Sequence, residues 1–411
     1  MSLVKPFRAL RPKPEHAAGV VAPPYDVVDT DEARALARGR PTSFLHVSRP
    51  EIDLPDDTDP YSDRVYAQGA ANLERLVHDG VLVREDAPSF YAYRMRIADH
   101  VQTGLACVAS VKAYEEDRIR KHELTRPDKE TDRVRNIDAL NAQTGPVLCA
   151  YRSNEMLRAL LADAAAGAPL LDVDGPQNVR HTIWRISDAA AIERIEQAID
   201  GLGRLYIADG HHRSAAAARI AEARRRGIAA SPDASHEYFL TVAFPHDEMR
   251  ILAYNRAVAD LNGMTPQAFI ERVGEVFAVN SASEAVVPEA PGSFGMYVDG
   301  RWYMLTLPSA DLPDDPVARL DVSLLQDRIN APLLGIEDPR TNPRITFVGG
   351  IRGVGELERL VDSGRAALAF SLHPTTMEQL MAVADAGRLM PPKSTWFEPK
   401  LADGLLSHVL D

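Results

Sequence analysis

The stretch RLYIADGHHRSAAAARIAEARRRG (204–227) decides the reading of this chain. Leu205–Ala208 is apolar and reads as a strand that ends at Asp209. Gly210 reads as a tight turn, and the residues beyond it as a helix with an Ala-rich face. His211, His212 and Arg213 stand where the helix opens. A helix start offers unpaired N–H groups and the positive end of a dipole, so it attracts phosphate. Gly210 lets the backbone approach a ligand, and the Arg213 fork matches phosphate oxygens. The imidazoles of His211 and His212 add donors. Asp209, at the strand end, is placed to hold Mg²⁺ or to orient a hydroxyl. The competing reading is an ordinary helix start with surface His and Arg, but capping does not require His-His-Arg. A Zn²⁺ or Fe²⁺ site on Asp209, His211 and His212 is a further reading. Neighbouring helical residues point about 100° apart, which suits one metal poorly.

Upstream lies the charged run RIRKHELTRPDKETDRVRNIDALNAQ (118–143), expected to turn helical from about Asp128. One reading is a solvated loop leading into a helix. The functional reading makes His122-Glu123 a general base, with Lys121, Arg126 and Lys129 facing anionic groups. Arg133 and Asn136, later in the run, are candidate substrate contacts. So is Asp26 in VVAPPYDVVD (20–29), where metal binding or a capping turn are the alternatives. Near the C-terminus, Pro391-Pro392-Lys393-Ser394-Thr395 is a compact donor set for a phosphate or a surface turn. No GxxxxGK precedes it, so it is not a P-loop.

Composition bounds these readings. The chain has 411 residues, with 46 Lys and Arg against 59 Asp and Glu, giving a net charge of −13. That balance argues against a general nucleic-acid binder, which needs a basic face. Cys107 and Cys149 lie in apolar stretches and read as buried thiols in strands. No signal peptide or transmembrane run is visible, so a cytoplasmic protein is expected. Three regions are expected: an N-terminal α/β region (1–85), a core with the charged loop and the DGHHR segment (86–250), and a C-terminal α/β region (251–411). Phe44–Val47 reads as a short strand, Tyr61–Asp79 as a helix, and the last third as β and α in alternation, suggesting an α/β layer. The class is mixed α+β.

Asp209-Gly210-His211-His212-Arg213 resembles the phosphate-binding signature of the ParB/sulfiredoxin-like superfamily, in a form similar to the free serine kinases of archaea. Lys121-His122-Glu123 and Pro392-Lys393-Ser394-Thr395 resemble two further stretches of those kinases. Over nearly its whole length the chain resembles the bacterial and archaeal domain-of-unknown-function 1015 family, through APPYDVVD, SFLHVSRPEIDL, RKHELTRPDKETDR, GPVLCAYR, YIADGHHRSAAA, MPPKSTWFEPKL and GLL. The resemblance implies a ParB-like core around residues 204–226 and a small-molecule kinase. Glu123 would be the base and Asp209 the metal or hydroxyl-orienting carboxylate. Gly210, His211, His212 and Arg213 would cradle donor phosphates, and Ser394 and Thr395 would touch substrate or phosphate. The implied cofactors are Mg²⁺ and ATP or ADP. The implied partners are a small hydroxyl metabolite such as serine and a nucleotide, with no nucleic acid and no membrane; a homo-oligomer is allowed. The chain is far longer than those kinases, and about 85 residues separate Glu123 from Asp209. A ParB-type nucleotide switch and a metal-dependent hydrolase are the alternatives. The spatial expectation is that Glu123, Asp209, His212, Arg213 and Lys393 share one cleft.

Overall fold

The computed structural model describes residues 2–226 and 231–411. It is mixed α+β and divides into two compact units, residues 1–249 with 399–411, and residues 250–398. The first 85 residues therefore share a unit with the central region. The last thirteen return to it, because Ser407–Val409 pairs with Ala9–Leu10 on one side and Ala142–Gln143 on the other.

The first unit is organised by a mixed sheet. Its strands run in the order Ile119–Arg120, Leu205–Asp209, Val147–Tyr151, Tyr238–Pro245, His100–Ser110, Phe90–Ile97, Arg180–Ile186 and Leu171–Asp174. Val4–Lys5 pairs alongside His100–Ser110. The central strands are apolar on both faces, as the runs of Val, Leu, Ile and Phe require. Three helices pack into one core with them. Glu155–Ala165 contributes Leu157, Leu160 and Leu161, and Ala189–Leu202 contributes Ile195 and Ile199. His211–Arg225 contributes Ala217 and Ala221, whose small side chains let it lie close to the strands. Burying a Leu or Ile here is worth about 1.5–3 kcal/mol each. Cys107 and Cys149 are free, fully buried thiols on two of these strands.

The helix expected from Asp128 spans Pro127–Leu140, with Pro at its first position, where the lost N–H costs nothing. Tyr61–Asp79 contains the helix Asp63–His78. Phe44–Val47 is not a strand: Leu45–Ser48 is one helical turn. A four-residue stretch, three of it apolar, does not fix a period. Here the Ser48 hydroxyl donates to the Phe44 carbonyl and Val47 N–H to the same oxygen, closing a turn instead.

The second unit carries a six-stranded sheet in the order Ala278–Ala282, Arg301–Thr306, Ser293–Val298, Leu368–Leu372, Tyr254–Val258 and Ile345–Gly349. Every pairing is antiparallel. The β–α alternation is real, since Gly355–Asp362 lies between two of the strands in sequence. Tyr254–Val258 inserts between those two strands and pairs antiparallel with both. Among the described residues, no helix is long and apolar enough to cross a membrane.

Candidate functional site

The strand Leu205–Asp209 and the helix His211–Arg225 meet at Gly210, which has φ +97°. A Cβ there would stand 2.9 Å from Arg213 Nε, so the position needs glycine for both backbone and space. Gly210 brings no side-chain cap, and the chain relies on the open first turn.

The loop before Pro127 is fastened onto this turn by the two histidines. His122 N–H faces His211 Nε2 at 3.4 Å, and Arg126 N–H donates to His212 Nε2 at 3.0 Å. Both Nε2 atoms are therefore acceptors for the loop, which leaves each Nδ1 as the donor. The His122 and His211 rings meet edge to face, with centroids 4.5 Å apart. Burial pushes the His122 imidazole down to about 4. Burial, then the neighbouring His122, holds His211 well below the usual histidine range, so both rings are neutral near pH 7. Glu123 follows on the loop, half exposed, with Oε2 3.8 Å from His211 Nδ1. Residues nearly ninety positions apart thus stand together.

Asp209 and Arg213 form a second group at the helix start. Arg213 is nearly buried; it donates to the Pro146 carbonyl, and its Nη2 lies 3.3 Å from Asp209 Oδ2 and 3.9 Å from Asp26 Oδ2. Lys400 Nζ is 3.6 Å from the same Asp209 oxygen. Burial alone would raise the Asp209 carboxyl, but Lys400 and Arg213 outweigh it and hold it well below the ordinary carboxylate range. Mg²⁺ fits this donor set poorly, because two cationic side chains already face the one oxygen. That oxygen of Asp209 is engaged by those two cations.

Beneath Arg213 opens a small recess, with about 30 Å³ of space for water-sized groups, lined by Tyr25, Arg133, Asn136, Gln143, Arg213 and Asp403 among others. Arg133 stacks on the Tyr25 ring at 3.8 Å and pairs with Asp132 at 2.7 Å. Burial pushes the Tyr25 phenol up to about 12. Asp403 is 1 % exposed and its Oδ1 has no hydrogen-bond partner. Burial raises its carboxyl to about 7, against the pull of Arg213. Asp403 was not among the expected site residues, and Lys400 entered only as part of the MPPKSTWFEPKL stretch.

The expected residues separate as follows. Glu123 and His122 stand by His211, and Arg126 by His212. Asp209 and Asp26 gather about Arg213, which shares its recess with Arg133 and Asn136. Lys121 Nζ sits 4.3 Å over the Tyr114 ring. Lys393, Ser394 and Thr395 belong to the second unit. There Lys393 has φ +57° and accepts from Arg256 through its carbonyl, and the Ser394 hydroxyl donates to the Pro391 carbonyl at 2.6 Å. The cation drawn from the C-terminal segment to Asp209 is Lys400. Asp209, His211 and His212 do not converge as a ligand set; among the described residues the His/Cys/Asp/Glu cluster of ligand spacing is His122, Glu123 and His211.

Among solved structures, a free serine kinase in complex with AMP is similar at 14% identity, over 71% of this chain and 86% of that one, with a TM-score of 0.34. A conserved hypothetical protein from Pyrococcus furiosus matches at 14% identity, over 73% and 94%, with a TM-score of 0.34. A C-terminally truncated SbnI from Staphylococcus aureus matches at 13%, over 72% and 84%, with a TM-score of 0.37. No curated protein matches the chain. The model of the family described as Protein of unknown function (DUF1015) matches residues 4–323, and the chain belongs to that family.

Proposed function

We propose that this chain is a phosphotransferase that moves a phosphoryl group from a nucleotide, ATP or ADP, to the hydroxyl of a small metabolite, serine or a relative. The observation that carries the reading is the arrival of the Glu123 carboxylate 3.8 Å from His211, at the open start of the helix that follows Gly210. In-line phosphoryl transfer needs a base for the acceptor hydroxyl and fixed positive potential for the phosphates. Glu123 is the base in this reading. It is reachable from solvent, and its histidine neighbours are neutral, so they do not compete for the proton.

The phosphates would take the first-turn N–H groups of the helix and the Nδ1 donors of His211 and His212. Arg213 and Lys400 add charge from behind, held in place by Asp209. The recess lined by Arg133, Asn136 and Asp403 is where the acceptor would lie. The ParB-like description of the core belongs to the same proposal.

A radiolabelled-nucleotide assay over a panel of hydroxyl metabolites tests it. Glu123→Gln should lower transfer by about 10²-fold or more while nucleotide binding holds, as expected for loss of a general base. Absence of turnover with every nucleotide and acceptor would sink the reading.

A further inference from the structure

The phosphotransfer reading leaves one anomaly at the helix start. His122 is 2 % exposed, and neither of its ring nitrogens has a hydrogen-bond partner. Buried polar atoms are nearly always paired, so a side chain with two unpaired nitrogens asks for an explanation. Its surroundings supply one. His122, Glu123 and His211 each offer a ligand atom, and the three atoms lie within 4.8 Å of one another. Among them, His211 Nδ1 and Glu123 Oε2 are 3.8 Å apart. Ligands on one tetrahedral zinc at 2.0–2.1 Å are separated by roughly 3.3 Å. Those two atoms stand about 0.5 Å further apart than that.

We propose that His122, Glu123 and His211 form a binding site for a divalent transition-metal ion, separate from the group of Asp209, Arg213 and Lys400. Two imidazoles and one carboxylate suit Zn²⁺, Fe²⁺ or Co²⁺ over the oxygen-seeking Mg²⁺ and Ca²⁺. Three protein ligands leave a coordination position open. Ligation through His211 Nδ1 moves that ring's proton to Nε2. It gives up only the 3.4 Å contact from His122 N–H, which is long for a hydrogen bond.

One consequence rests on the phosphotransfer reading. A metal ion on Glu123 occupies the base, so loading the site should turn transfer down.

The test is a Co²⁺ titration of the full chain followed by visible absorption, with no nucleotide present. One ion per chain is expected, with the intense bands of a low-coordinate site. Glu123→Ala and His122→Ala should each weaken uptake at least about tenfold. Asp209→Asn and His212→Ala should each weaken it by less than Glu123→Ala does. If His122→Ala does not fold, Glu123→Ala, at a half-exposed position, decides. A wild-type chain that takes up no ion saturably overturns the site. So does uptake that follows Asp209 and His212 in place of Glu123. Since the readout is spectroscopic, a failed kinase assay leaves the site standing, and an absent metal leaves the kinase reading standing.

Discussion

Two of the Asp-Gly steps in the first unit, Asp209-Gly210 and Asp403-Gly404, behave oppositely. Asp209-Gly210 closes a central strand and Asp403-Gly404 lies in the C-terminal return. Both glycines have positive φ, +97° and +87°. Asp209 faces Lys400 and Arg213 and is held as a carboxylate. Asp403 has Arg213 nearby but also Asp26, and one of its oxygens is unpaired; burial therefore wins and the carboxyl sits near 7. The same dipeptide yields a fixed anion in one place and a titrating acid in the other. What differs is the charge each one faces, and in the recess that charge is already shared between Asp209 and Asp26.

The largest expected effect tests Asp403. Its folded-state value lies above the ordinary carboxylate value of 3.8, so its contribution to stability is complete below about pH 4. That contribution is lost as pH rises towards 7 and does not change further above it. Asp403→Asn removes this loss. Relative to wild type, the variant should gain roughly 3–4 kcal/mol between pH 4 and pH 8, at 1.36 kcal/mol per pH unit. Urea unfolding across that range measures it. Parallel stability curves for the two proteins would mean that Asp403 is ionised throughout, and the contrast with Asp209 would vanish.

Asp209 should respond in the other direction. Asp209→Asn leaves Arg213 and Lys400 facing a neutral amide. Breaking a fully buried pair costs about 3–5 kcal/mol. About a third of the Asp209 side chain is exposed, so solvent screening reduces this to roughly 2–3 kcal/mol. The loss should be seen at pH 7 and shrink on acidification, because the depressed carboxyl contributes its stability above the ordinary carboxylate range and loses it as pH falls through the folded value. A cost that does not vary with pH would break the charge-pair account.

Only one member of this pair was legible in the sequence. Asp209 announces itself because strand, turn and helix start are contiguous, and His-His-Arg exceeds what a cap needs. Asp403 depends on partners from three separated stretches: Arg213, the segment with Tyr25 and Asp26, and Arg133. No local period connects them. The Ala22–Asp403 backbone bridge that sets this arrangement joins residues 381 positions apart, counting from 22 to 403. The histidines show a similar limit. Their residue types pointed to phosphate donors, while the structure spends both Nε2 atoms on fastening the loop. The helix Asp63–His78, expected over Tyr61–Asp79, was plain from its apolar spacing, because local periodicity and tertiary packing agree there.

The glycines give the finest version of the comparison. Each one's φ carries a cost of about 1 kcal/mol for any residue with a Cβ. Their surroundings then separate them. At Gly210 the added carbon would meet Arg213 Nε at 2.9 Å, part of a long side chain that can shift at the cost of loosening its grip on Asp209. At Gly404 it would meet Phe44 Cβ and Cγ, both at 2.7 Å, and Phe44 is fully buried against Val20 and Leu45 in the N-terminal core. A ring root in a packed core has nowhere to move, and overpacking of that kind adds about 1–3 kcal/mol. Gly404→Ala should therefore cost roughly 2 kcal/mol or more in thermal or denaturant unfolding, and Gly210→Ala about 1 kcal/mol. For nucleotide binding the order should reverse, since Gly210→Ala displaces Arg213 at the helix start while Gly404→Ala acts on Phe44. Equal losses of stability with equal effects on binding would show that the two turns serve one purpose. The reversed order would show that one glycine holds the core and the other keeps the site open.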